Sequence, residues 1–138
     1  MYGLFHYQVE IDKKATKEWY AAAAEWNCSC ESCRNFVSLA RKRKFPEPVL
    51  KILDDLEIPP EKATYVCELY PDEAGVCYQF SYRIAGYIAS GEEHSLVKTD
   101  WGGVCCCHEP YPFGAPGFPE PHFDLEFNIT LPFLEVNR

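Results

Sequence analysis

The chain predicts an α+β fold, an antiparallel sheet with two or three helices packed on one face, and three observations predict it. Segments of strict apolar/polar alternation stand at Val76–Ile84 and Phe123–Leu131, the signature of strands with one buried face. Helical spacing of apolar residues is confined to the first half, about 16–56. Pro71-Asp-Glu-Ala-Gly75 joins two strand-like runs as a turn sequence would. With 138 residues the expectation is one domain, 1–138. Aromatic residues make up 15% of the chain, enough to build a core without covalent staples.

The elements follow in order. Residues 3–12 alternate, with Gly3, Phe5, Tyr7, Val9 and Ile11 on one face and Leu4, His6, Gln8, Glu10 and Asp12 on the other, predicting one half-buried strand. Thr16 is a candidate cap for a helix running to about Trp26, with Trp19, Ala23 and Trp26 along one stripe. Ser29 is placed to cap a second helix through Lys44. Glu31 then lies in the first turn, where the helix dipole favours an acid, and Cys33, Phe36, Val37 and Ala40 form the buried face. Pro46 ends that helix and Pro48 suits the start of a third, carrying Val49, Leu53 and Leu56 and stopped by Pro59-Pro60.

The second half is read as strands. Tyr65–Tyr70 pairs with the long run from Val76, whose Val76, Tyr78, Phe80, Tyr82, Ile84 and Ile88 point one way and Gln79, Ser81 and Arg83 the other. Gly102–His108 is a further strand, and Phe123–Leu131 the last. On this reading Phe80, Tyr82, Leu125 and Phe127 are buried, while Arg83 and Glu126 face solvent. Five prolines and two glycines between Glu109 and Pro121 predict a long irregular loop.

Charge and cysteine content narrow the function classes. A net charge of −8 repels phosphates and argues against nucleic-acid binding. From Ile84 to Asn137 the only basic residue is Lys98, against eight acids, so a basic protein is the partner this surface suits, as for an inhibitor or immunity protein. The Arg41-Lys-Arg-Lys44 run is read as a solvated helix end. No apolar run reaches the roughly 20 residues a membrane span needs, and the first ten residues have no signal-peptide pattern, so the expectation is a cytoplasmic protein. Eight cysteines in such a setting are expected to be reduced thiols or metal thiolates rather than disulfides.

The most distinctive stretch is Cys28-Ser-Cys30-Glu-Ser-Cys33. A C-x-x-C pair at a helix start offers two sulfurs to one tetrahedral zinc, with Cys28 as a third ligand and one of Cys105, Cys106, Cys107 or His108 as a fourth if the fold brings that strand near. The same position stabilises thiolate and suits redox work. Against both stands the default for a cysteine in a folded domain, a packed small hydrophobe. Cys105-Cys106-Cys107-His108 on a strand sends alternate side chains to opposite faces, so at most half of it can serve one ion. His122, Asp124 and Glu126 share a strand face and are read as ion-pairing with groups such as Arg83 rather than as a metal or acid/base site. No nucleophile elbow, phosphate loop or dinucleotide turn is present in the sequence. The expectation is therefore a non-enzymatic binding or accessory protein, with Cys28, Cys30 and Cys33 as candidate ligands of a structural zinc, the alternative being a small enzyme that uses the cysteine cluster.

Cys30-Glu-Ser-Cys33-Arg-Asn-Phe36, with Leu125-Glu-Phe127 and Leu131-Pro-Phe133, resembles a group of small bacterial proteins sharing a C-x-x-C-x-N-F segment and an L-E-F-x-x-x-L-P ending. That resemblance implies a bacterial, cytoplasmic origin and carries no activity with it.

Overall fold

The computed structural model describes residues 2–108 and 114–133, the side chain of Asp72 excepted. It is an α+β fold with three helices, α1 (Lys13–Ala22), α2 (Glu31–Arg41) and α3 (Glu47–Asp55), and strands β1 (Tyr2–Leu4), β2 (Tyr7–Ile11), β3 (Tyr65–Asp72), β4 (Gly75–Ser90), β5 (Val97–Thr99), β6 (Gly102–Cys107) and β7 (His122–Leu131). Among the described residues the strands form one antiparallel seven-stranded sheet in the order β1-β2-β4-β7-β6-β5, with β3 also pairing β4.

β4 organises the sheet. Its first half pairs with β3 and its last residues with β2 along the same edge, while β7 runs along the other edge from Val76↔Leu131 to Ala85↔His122. Gly86 sits where the partner changes, at φ 138°, and a Cβ there would lie 1.8 Å from the Glu10 carbonyl oxygen. Only glycine fits so close a strand approach.

The alternating runs place their apolar residues as expected. Tyr78, Phe80, Tyr82, Ile84, Phe123, Leu125 and Phe127 are each fully buried. Phe36 of α2 and Phe45 beyond its end pack on Phe80 with ring centroids 4.9 and 5.4 Å away, and Tyr82 donates its hydroxyl to the Pro60 carbonyl at 2.7 Å.

Five local expectations need correction. Residues 3–12 are a hairpin and not one strand: the chain reverses at Phe5-His6, with Phe5 at φ 58°, so that Leu4 pairs with Tyr7 and both are buried. The cap of α1 is Asp12, whose carboxylate accepts the Ala15 N–H at 3.0 Å. Thr16 lies inside the helix, where its hydroxyl donates to the Asp12 carbonyl at 2.9 Å and accepts the Ala85 N–H at 3.0 Å, stitching α1 to β4. Helix α1 stops at Ala22 because Ala23 is already extended, which leaves Trp26 outside it. The cap of α2 is Cys30 rather than Ser29, and that helix ends at Arg41, with Arg43 at φ 55°.

The largest correction concerns the second sheet face. Arg83 does point away from the Phe80 side, but it is buried at 4% exposure, as is Asp124 at 1%, and the two meet across β4 and β7 at 3.0 Å. Arg83 therefore makes the cross-strand ion pair expected of it, in the interior and not in water. Ser81, Cys105 and Cys107 on that face are buried too, and Glu126 is half-buried. The Arg41–Lys44 run is solvated, with Arg41 paired to Glu25 and Arg43 to Asp54. Of the proline-rich loop, 109–113 lie outside the described residues.

Candidate metal centre

Residues 23–30 run without regular structure from α1 to α2, and two contacts decide where they deliver their cysteines. The Trp26 N–H donates to the Glu61 carbonyl at 3.0 Å, anchoring the middle of the segment. Cys30 then caps α2, its extended backbone giving way to the helix while its carbonyl accepts the Arg34 N–H at 3.0 Å. Helix α2 is held on the sheet by Asn35, which is buried and donates to the Tyr78 hydroxyl and the Pro132 carbonyl, each at 3.1 Å. The Tyr78 hydroxyl in turn donates to the Ser32 carbonyl at 2.7 Å. Burial pushes that phenol up to about 12, so it stays a neutral donor. The residue between Ser32 and Arg34 is Cys33, so the same network sets the position of its sulfur.

The result is a group of three sulfurs. The Sγ atoms of Cys28, Cys30 and Cys33 all lie within 4.8 Å of one another, Cys28 and Cys30 only 3.4 Å apart. Two sulfurs bound to one tetrahedral zinc at about 2.3 Å each sit roughly 3.8 Å apart, so little movement separates this arrangement from coordination. Cys30 is exposed, Cys28 half-buried and Cys33 buried. Two N–H donors point at sulfur: the Cys33 backbone N–H at Cys30, 3.4 Å away, and the Trp26 indole N–H at Cys33, 3.2 Å away. Donors of this kind stabilise sulfur as thiolate and orient it, the part outer-shell contacts play around metal ligands.

Cys28 and Cys33 differ electrostatically. The Cys30 backbone N–H, helped by the neighbouring thiols of Cys33 and Cys30, holds Cys28 below the ordinary thiol value. Burial, reinforced by the adjacent Cys28, pushes Cys33 up to about 12. Cys28 therefore gives up its proton more readily than Cys33, whose ionisation a bound cation would favour by compensating its burial.

The sequence-derived ligand set is thus brought together in three members, Cys28, Cys30 and Cys33, and the fourth, His108, stands apart. Its Nδ1 is 2.8 Å from Glu93 Oε2, its backbone N–H donates to Glu93 Oε1 at 2.8 Å, and its Nε2 accepts the Ile88 N–H at 3.1 Å. Both ring nitrogens are engaged in tying residues 88–93 to the end of β6. Cys106 belongs to the core, and Cys105 faces Glu126 at 3.8 Å. Among the described residues no other cluster of three or more His, Cys, Asp or Glu side chains is arranged to hold one ion. His122 packs edge-on against Phe118, while Asp124 is occupied by Arg83. The contributor that sequence reasoning missed is Trp26, assigned to the stripe of α1. The seven-residue spacing to Cys33 was its only trace.

No known protein family matches the chain, and neither characterised proteins nor solved structures give a significant match. Fold and site together define an α+β protein with a three-cysteine centre. No described helix is long and apolar enough to cross a membrane.

Proposed function

We propose that this chain is a non-enzymatic metal-binding accessory protein in which Cys28, Cys30 and Cys33 hold one zinc ion. The observation that carries the reading is the convergence of three sulfurs within 4.8 Å, with N–H donors already aimed at two of them. Three soft ligands select zinc or another thiophilic ion over magnesium or calcium. A fourth position is then left to water or to a group from a partner, and the net charge of −8 favours a basic one. The ion would fasten the 23–30 segment to α2, making metal affinity part of the folding free energy.

A second reading, a small thiol-dependent enzyme, draws on the lowered Cys28 thiol beside Cys30. The hollow of about 550 Å³ beside it, lined by Trp26 and Asn27, has none of the three sulfurs in its wall. Another hollow, about 820 Å³ between residues 44–46, Tyr70 and β5–β7, has Cys77 in its wall and none of the three clustered cysteines.

Elemental analysis of the purified protein beside a free-thiol count tests the proposal. The expected result is one zinc per chain, lost together with a fall in melting temperature on chelation, and lost also in Cys33→Ala. A metal-free protein whose melt is unchanged by zinc or chelator would overturn it.

A further inference from the structure

The three sulfurs divide into an outer pair and an inner one. Cys28 and Cys30 sit on the segment entering α2, with their Sγ atoms 3.4 Å apart, and Cys30 has the extended backbone φ −70°, ψ 159°. Cys33 lies one helical turn in, 8% exposed, with its sulfur under the Trp26 indole N–H. A disulfide needs about 2.05 Å between sulfurs, so the outer pair closes by a shift of little more than about 1 Å in a stretch of non-helical backbone. In a Cys30–Cys33 bridge, the pairing a C-x-x-C sequence suggests, one partner is the buried sulfur that holds the indole N–H.

We propose that Cys28 and Cys30 form a redox gate on the metal centre, closing to a disulfide under a low-molecular-weight disulfide oxidant and so releasing the ion. The gate rests on the zinc reading above; the choice of pair rests on the sulfur geometry alone. The Cys28 thiolate attacks one sulfur of the oxidant R–S–S–R, forming Cys28–S–S–R and expelling RS⁻. The Cys30 thiolate then attacks the Cys28 sulfur, forming the Cys28–Cys30 bond and expelling the second RS⁻. Two electrons pass to the oxidant, the two RS⁻ groups take protons from water, and zinc stays divalent throughout. Two of the three protein ligands are consumed, and a single remaining thiolate does not retain the ion. Reduction of the bridge restores the site.

The test uses zinc-loaded protein, oxidised glutathione as oxidant, a chromogenic zinc indicator, and differential alkylation read by fragment mass spectrometry. The expected result is one zinc released for every two thiols lost, with the bridge between Cys28 and Cys30 and Cys33 still a free thiol. Cys33→Ala should form the same bridge, whereas Cys28→Ser, which lacks one of the two sulfurs, should form no intramolecular bridge and stop at a mixed disulfide on Cys30. A bridge through Cys33, or zinc retained after the Cys28–Cys30 bridge has formed, overturns the gate and leaves the zinc reading standing. A chain that takes up no zinc overturns that reading and the gate with it.

Discussion

Two cysteine triplets in this chain have opposite fates. Cys105, Cys106 and Cys107 are adjacent in sequence, yet β6 turns Cys106 into the core while Cys105 and Cys107 face Glu126 and Asp124 across β7. Burial pushes Cys105 up to about 12 and Cys106 higher still, so both remain neutral thiols. Cys28, Cys30 and Cys33 are spread over six positions, and there an extended segment meeting a helix start folds them into one group. Period two separates neighbours, and a helix cap gathers residues two and three apart. Backbone geometry, rather than sequence density of cysteine, decides whether thiols can act together.

The largest effects should come from the buried polar layer beside the strand triplet. Arg83→Met removes the cation that faces the buried Asp124 carboxylate and is expected to cost about 3–5 kcal/mol in a denaturant melt. Phe127→Ala, a truncation at zero exposure on the opposite sheet face, should cost a similar ~3–5 kcal/mol. A loss below about 1 kcal/mol in either would break the picture of a sheet buried on both faces here.

Next in size is the contrast between the triplets themselves. Cys106→Ser puts a hydroxyl in the core and should cost about 1–3 kcal/mol, while Cys30→Ser in metal-free protein should stay within about 0.5 kcal/mol. Equal losses at the two positions would erase the distinction. A smaller effect is a pH dependence. Burial lifts the Glu126 carboxyl above its ordinary 4.5, so the unfolded chain releases this proton at lower pH than the folded one. Stability supplied by this group is therefore complete below the ordinary value and is lost as pH rises through the raised one. Glu126→Gln should remove that decline, visible as a flatter profile of melting temperature against pH from 4.5 upward. The gentlest probe is alkylation of metal-free native protein: Cys28 and Cys30 should react first, and Cys105 and Cys106 only on unfolding.

Much of the architecture was readable from local pattern. Helices α2 and α3, the β3–β4 hairpin and the faces of β4 and β7 announce themselves because each has a single period and a bounding turn or proline. The N-terminal hairpin does not, since Phe5-His6 contains no glycine, asparagine or aspartate to signal a turn and a two-residue reversal leaves the alternation unbroken. Asp12 was passed over as a cap because it also extends the strand pattern. Arg83 shows a deeper limit: alternation says which face a side chain takes, and only the whole fold says what covers it. At the candidate centre, Cys28, Cys30 and Cys33 were legible because a helix start fixes their neighbourhood locally. His108 was a guess about distant strands, and its ring is committed to Glu93 and Ile88.

The partner change along β4 also has a consequence for how the chain is made. The β3–β4 hairpin is local, joined through Asp72↔Gly75, and can close as soon as both strands exist. The other edge of β4 finds its partner only in β7, whose Leu131 aligns with Val76. On a growing chain, Tyr78, Phe80 and Tyr82 thus wait beside an open edge while the intervening residues are synthesised, and an open apolar edge is where separate chains join. The yield of folded protein then depends on how quickly β7 arrives, so slower translation through 91–121 should increase aggregation even though the native state is unchanged.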